Sequence, residues 1–291
     1  DEIGLMTKYV DEKGFIRFEG NADGAWLQAR KVWLHGAKGA VLGVTSVKVG
    51  YGVTPAEERE KAPALKDMHI DVGCRSRAEV EALGIRLGDP ITFDGRLETL
   101  GSPFYVAGPA LDNRAGVAAL LTLAGQIKKI EPRPRVVLVG TVEEEIGTKG
   151  AALAAAVVAP DAAISVDTQP AAGTPGVPEH VLPLDIGRGP VIKFHEGKFV
   201  TLVHPRVREM LTEAATKTQT PFQLGGAPPG NSDLNSMQQS GKGVPSGAIA
   251  IPRRYAHSPN ELIDLRDAFG VVTVLGEAIR LFGAGYRLER I

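Results

Sequence analysis

The sequence predicts an α/β protein: a mixed sheet with helices on both faces, and a small β-rich barrel domain inserted into it. Three observations carry this. Residues 8–101 consist of short alternating runs broken by Gly, Asp and Pro, the texture of a small barrel or sandwich. From about Pro109 onward, apolar runs alternate with stretches of helical periodicity, which implies a parallel or mixed sheet covered on both faces. At 291 residues, 43% hydrophobic and 23% charged, the chain has the length and composition to bury such a core. The expected division is residues 1–7 with 102–291 for the α/β domain and 8–101 for the inserted one.

The elements follow in chain order. "GFIRFEG", "GAVLGVTSVKVG" and "DPITFDGRLETL" read as barrel strands. One helix interrupts them: "SRAEVEALG" opens with Ser76 and Glu79 at capping-box spacing and stops at Gly84. In the second region "NRAGVAALLTLAGQIKKI" has helical periodicity, "RVVLVG" reads as a buried strand and "TKGAALAAAVVA" as a second helix. "DAAISVD" and "PVIKFHE" are further strands, and "HPRVREMLTEAATKTQ" is an amphipathic helix. "GAIAIP" is a strand leading to the last helix, "DLRDAFGVVTVLGEAIRLFG".

Composition narrows the function. Lys+Arg 33 against Asp+Glu 34 leaves a formal charge of -1, so no field of one sign is available to gather nucleic acid or anionic lipid. No uninterrupted apolar stretch reaches the length of a membrane span. The single cysteine, Cys74, excludes an internal disulfide framework and fits a reducing compartment, so a cytoplasmic protein is expected.

The chemistry-bearing residues sit where an open α/β sheet binds ligands, at the carboxyl ends of strands or at a helix entry. Asp112 precedes a helix in "ALDNRAG", Glu144 and Glu145 follow "RVVLVG", Asp167 ends "DAAISVD", and His257 lies shortly after "GAIAIP". Carboxylates packed together repel and protonate unless a cation neutralises them. Zinc accepts Asp, Glu and His ligands, two zincs sharing a carboxylate can clamp a hydrolytic water, and one further Glu can take that water's proton. Singly, each residue has a plainer reading. Asp112 could cap its helix, the Glu143–Glu145 triplet could be a solvated turn, Asp167 could start a loop, and His257 could be a packed histidine.

Together, "DEIGLM", "IDVGCRSRAEVEALGIRLGD", "GPALDNRAG", "TVEEEIGTKGA", "ISVDTQPA", "GRGPVIK" and "GVPSGAIAIPRRYAHSP" resemble the tetrahedral, TET-type dinuclear-zinc aminopeptidases. That family includes glutamyl aminopeptidases and proteins labelled endoglucanases. The resemblance implies a zinc-exopeptidase-like catalytic domain with a β-rich insertion. By position it implies Asp112 as the carboxylate bridging two metals, Glu145 and His257 completing one site, and Asp167 in the other. Glu144 corresponds to the general base and later proton donor, and Asp1 to the acidic residue behind the second metal's histidine. That histidine stands two positions before the Asp of "DEIG" in the family, ahead of residue 1 here. With no initiator Met at the start, a preceding segment carrying it is expected. Asp233 falls in register with the acid of the family's substrate loop, and Glu143 is a candidate for recognising the substrate's free amine.

The expected activity is a metal-dependent aminopeptidase cutting N-terminal residues from peptides, with two divalent ions per subunit. Zinc is the expected metal, and the O/N ligand set also admits cobalt or manganese. The competing functions are a deacylase or amidohydrolase of N-acyl amino acids and a non-catalytic homologue with an incomplete second metal site. The resemblance also implies a homo-oligomer built from dimers, such as a dodecamer.

Overall fold

The computed structural model describes residues 4–47, 55, 57, 60–197, 201–226 and 231–289. One compact unit is formed by Ile3–Leu97 with His257–Asn260, and a larger one by Glu98–Ala256 with Glu261–Ile291.

The smaller unit is a closed six-stranded antiparallel barrel. Its strands are β1 (Leu5–Val10), β2 (Ile16–Gly20), β3 (Lys31–Gly36), β4 (Gly39–Ser46), β5 (His69–Asp71) and β6 (Pro90–Phe93). They close in the order β1-β2-β5-β4-β3-β6, with β6 returning to β1. Closure leaves no sheet edge free to pair with another chain. The alternation seen in the sequence is the inside–outside period of these strands. In β3, Val32 and Leu34 are buried, and they join Ile16, Phe18, Ile70 and Ile91 in the barrel core. Helix α1 (Arg77–Ala82) adds Val80 to that core. Glu79 N donates to Ser76 Oγ at 3.2 Å, while the Glu79 carboxylate accepts from Arg75 N at 2.8 Å. The capping residues are therefore those the spacing predicts, with the reciprocal bond reaching one residue further back.

The larger unit is an eight-stranded mixed sheet flanked by helices, in agreement with the expected fold class. Its strands are β7 (Glu98–Thr99), β8 (Tyr105–Gly108), β9 (Ala163–Pro170), β10 (Val191–Glu196), β11 (Thr201–Leu202), β12 (Gln223–Gly226), β13 (Ser246–Arg254) and β14 (Glu261–Asp264). Its helices are α2 (Leu111–Ile130), α3 (Lys149–Val158), α4 (Pro205–Lys217), α5 (Asp233–Gln238) and α6 (Leu265–Gly283). The central strand β13 pairs in parallel with β9 and antiparallel with β10 and β14. Being central, it is apolar on both faces. Ile249 and Ile251 join the core under α2, α4 and α6, whereas Ala248 meets Leu234 of α5. Helix α3 packs against α5, so both faces of the sheet are covered.

One expected strand is not there. Residues 135–140 ("RVVLVG") form no strand, and Val137, Leu138 and Val139 are 40%, 38% and 39% exposed. An apolar run becomes a buried strand only where neighbours take up its backbone N–H and C=O groups. Among the described residues no strand pairs with this one. Strand β9, by contrast, continues beyond Asp167 to Pro170. Among the described residues no helix is long and apolar enough to cross a membrane.

Candidate metal centre

Four chain segments build the site. The first is the entry to α2. Asp112 has non-helical φ/ψ inside the helix's first turn, and the chain enters through Ala110 at φ +53°. Asp112 does not cap the helix: its Oδ1 accepts from Thr168 Oγ1 at 2.9 Å, and its Oδ2 pairs with Arg253 Nη2 at 2.8 Å. The next residue, Asn113, donates to the Val166 carbonyl at 2.8 Å and accepts from Gly116 N at 3.0 Å, which ties the helix start to β9 beside Asp167.

The acidic loop is the second segment. Gly147 N and Thr148 N donate to the Glu144 carbonyl at 3.1 and 2.9 Å, and Gly150 N donates to the Val142 carbonyl at 3.0 Å. These bonds wind residues 142–150 into a compact turn that runs directly into α3. The Thr148 hydroxyl bonds Ser236 of α5, so the loop is fixed at its far end as well. Strand β9 is the third segment and supplies Asp167. The turn between β13 and β14 is the fourth and supplies His257, with Tyr255 and His257 both at φ +58°. Of the nine non-glycine residues with positive φ among those described, five (Ala110, Glu143, Thr148, Tyr255 and His257) belong to or flank these segments. Each such residue costs about 1–3 kcal/mol and persists only where the surroundings over-determine it.

The segments bring Asp112, Glu145 and His257 together: one ligand atom from each lies within 4.8 Å of the others. Asp112 is buried and the other two are half-buried. The electrostatics match a site built for positive charge. Burial pushes the Glu144 carboxyl up to about 9, and the nearby carboxylates of Asp167, Glu145, Asp233 and Asp112 push it the same way. Asp167 keeps some exposed surface, yet protein atoms crowd its carboxyl enough that desolvation, with Asp112 adding to it, raises it too. Lys193 and the Thr168 N–H oppose that rise.

A divalent cation among these groups would oppose the Coulombic causes of the Glu144 shift, all of which are negative charges. The donors, two carboxylates and an imidazole, are of the type zinc takes. The residues therefore fit a metal.

The remaining predicted residues lie as follows. Asp233, the first residue of α5, accepts from the Thr141 hydroxyl at 2.5 Å, and burial raises its carboxyl. Glu143 is exposed and ion-paired with Lys149 at 2.9 Å. Asp1 lies outside the described residues.

The family model for the M42 glutamyl aminopeptidases matches residues 1–274. The chain belongs to this family. It is 32% identical over 270 residues to the lysyl aminopeptidase of Pyrococcus furiosus, covering 92% of this chain and 75% of that one. Aminopeptidase APDkam598 of Desulfurococcus kamchatkensis superposes with a TM-score of 0.88 at 33% identity, over 96% of this chain and 76% of that one. The TET1 peptidase of Pyrococcus horikoshii, which can assemble into a tetrahedron or a large octahedral shell, superposes with a TM-score of 0.83 at 26% identity. That match covers 95% of this chain and 80% of the other. This M42 protein is thus an aminopeptidase, an enzyme that removes N-terminal residues.

Beyond the residues legible in its sequence, the M42 chain carries a buried ring around Asp112. The Asp112 N–H donates to Glu261 Oε2 at 2.8 Å, Glu261 Oε1 accepts from Arg253, and Arg253 returns to the Asp112 carboxylate. A second buried pair, Lys193 with Glu196 at 2.6 Å, holds Ser232 at the start of α5: the Ser232 hydroxyl donates to the Glu196 carboxylate at 2.7 Å. The only sequence signal for the first ring was the nearness of Arg253 and Glu261 to His257, four residues either side. The second gave none.

Proposed function

We propose that this M42 aminopeptidase is a two-metal enzyme, zinc being the natural occupant, with Glu144 as its general base. Asp112, Glu145 and His257 hold one ion, and Asp112 with Asp167 serves the other. The observation that carries the proposal is the convergence of Asp112, Glu145 and His257 within 4.8 Å, with the unbound carboxyl of Glu144 set among the same charges. When bound, the metal pair supplies Lewis-acid polarisation of the scissile carbonyl and acidifies water. The chain's own residues do the rest. Glu144, ionised once its neighbours are neutralised, takes the proton of the attacking water and returns it to the departing amine, so the proton balance closes within one side chain. The turn hydrogen bonds at the Glu144 carbonyl keep this side chain in register with Glu145. Glu143 is the candidate for the substrate's free α-ammonium, and Asp233, held by Thr141, contributes to substrate binding.

The assembly proposed for this chain is a homo-oligomer built from dimers, a dodecamer in the simplest case, by analogy with the tetrahedral shell of the TET1 peptidase. The substrates are peptides with a free N-terminus. Incubation of the zinc-loaded protein with an unblocked tetrapeptide and with N-acetyl amino acids tests the reading. Free N-terminal amino acid from the peptide alone is the expected result. Hydrolysis of the acetylated amino acids in preference would favour a deacylase, and no hydrolysis of either would contradict the proposed reading.

A further inference from the structure

We infer that Arg253 is a positioning residue for the metal centre: it holds the carboxylate of Asp112 directly and its backbone through Glu261, so that this ligand is in place before a metal arrives. The inference rests on the metal-dependent reading above. Its basis is a closed ring of three charged side chains, with Asp112 8%, Arg253 3% and Glu261 1% exposed. Glu261 uses one oxygen for the Asp112 N–H, at 2.8 Å, and the other for the guanidinium. The guanidinium spends its second arm on Asp112 Oδ2, at 2.8 Å. Thr168 fixes the remaining oxygen, Oδ1, at 2.9 Å.

Three properties make this ring more than a structural ion pair. Strand geometry places its two partners without loop freedom: Arg253 of β13 is directly paired with Ile263 of β14, the strand that carries Glu261. The fork of a guanidinium is the side chain suited to join two carboxylates in fixed geometry. And the residue it holds has a non-helical backbone at the mouth of a helix, so its side chain leaves the helix in a direction that these outer partners must fix. Carboxylates that bind metals are ordinarily oriented by such outer partners, whose loss weakens metal affinity by about 10- to 100-fold. A buried cation beside a ligand can also act in the opposite sense, as a competitor for it. The two roles predict opposite signs.

The test is zinc affinity, measured on the full chain after chelator treatment, by competition of Zn²⁺ against a chromophoric chelator. The proteins are the unaltered chain, Arg253→Met and Arg253→Lys, and far-ultraviolet circular dichroism is recorded on each. Arg253→Met is expected to weaken zinc binding by about 10- to 100-fold, and excess zinc is expected to restore peptidase activity, which a general loss of structure would not allow. Arg253→Lys keeps the charge but not the fork and is expected to weaken binding by a smaller factor. It also carries the test if the Met variant does not fold. Unchanged or tighter zinc binding in the folded variant overturns the positioning role while leaving the metalloenzyme reading intact. Absence of zinc binding by the unaltered chain overturns both.

Discussion

Glu144 shows how environment sets the role of a side chain. An ordinary glutamate near 4.5 is pushed up to about 9, by burial first and by four nearby carboxylates after it. Because the folded value lies above the unfolded one, the stability this group contributes is complete below about 4.5 and is lost as pH rises toward 9. Chelator-treated protein should therefore lose thermal stability between pH 5 and 9, and Glu144→Gln should flatten that slope; an identical slope in both proteins would contradict the assignment. His257 makes a separate prediction. It is the one nitrogen donor of the cluster, so His257→Ala should lower the metal retained after dialysis, as measured by elemental analysis, with circular dichroism unchanged. At this scale the sequence was partly legible. Asp112, Glu145 and His257 each had a plainer reading singly, and only their joint placement, with the motifs around them, singled them out. Arg253 and Glu261 did not stand out, because pairing between neighbouring strands depends on register, which residue types alone do not declare.

At the scale of elements, packing rests on a few tight approaches. The turn before β10 is held by Asp267 of α6, whose carboxylate accepts from Gly187 N at 2.6 Å and Gly189 N at 2.7 Å. Gly189 has φ +92°, and a Cβ there would sit 1.9 Å from the Pro221 carbonyl oxygen. Gly189→Ala should lose at least about 1–3 kcal/mol from backbone strain, with the overlap adding to it, measurable as a reduced denaturant midpoint. In the centre of β13, Ile249 is fully buried among α2, α4 and α6. Ile249→Ala should cost about 2–5 kcal/mol. Most elements were legible because their periodicity is imposed by the face they bury. The "RVVLVG" run was not, because its apolar character is that of a buried strand while its burial depends on neighbours outside the run. The same limit applied to the barrel: alternation predicted short strands in a barrel or sandwich, but closure depends on β6 pairing with β1, far apart in the chain.

For the molecule as a whole, charge and composition excluded more than they identified, and the family match supplied the activity. Metal binding should couple to folding, since it neutralises carboxylates that oppose one another in the folded chain. Zinc at a hundredfold excess over its dissociation constant should stabilise the protein by roughly 2.7 kcal/mol per site, seen as a raised midpoint that chelation reverses. Sedimentation should show a particle many times the 30.8 kDa of one chain, and a monomer at micromolar concentration would contradict the proposed assembly. The most direct test of the central claim is the rate of N-terminal residue release from an unblocked peptide by the zinc-loaded enzyme and by its Glu144→Gln variant, with zinc content measured on both. A loss of about 10²- to 10⁴-fold at equal zinc content is the predicted result. Full activity in the variant would contradict it.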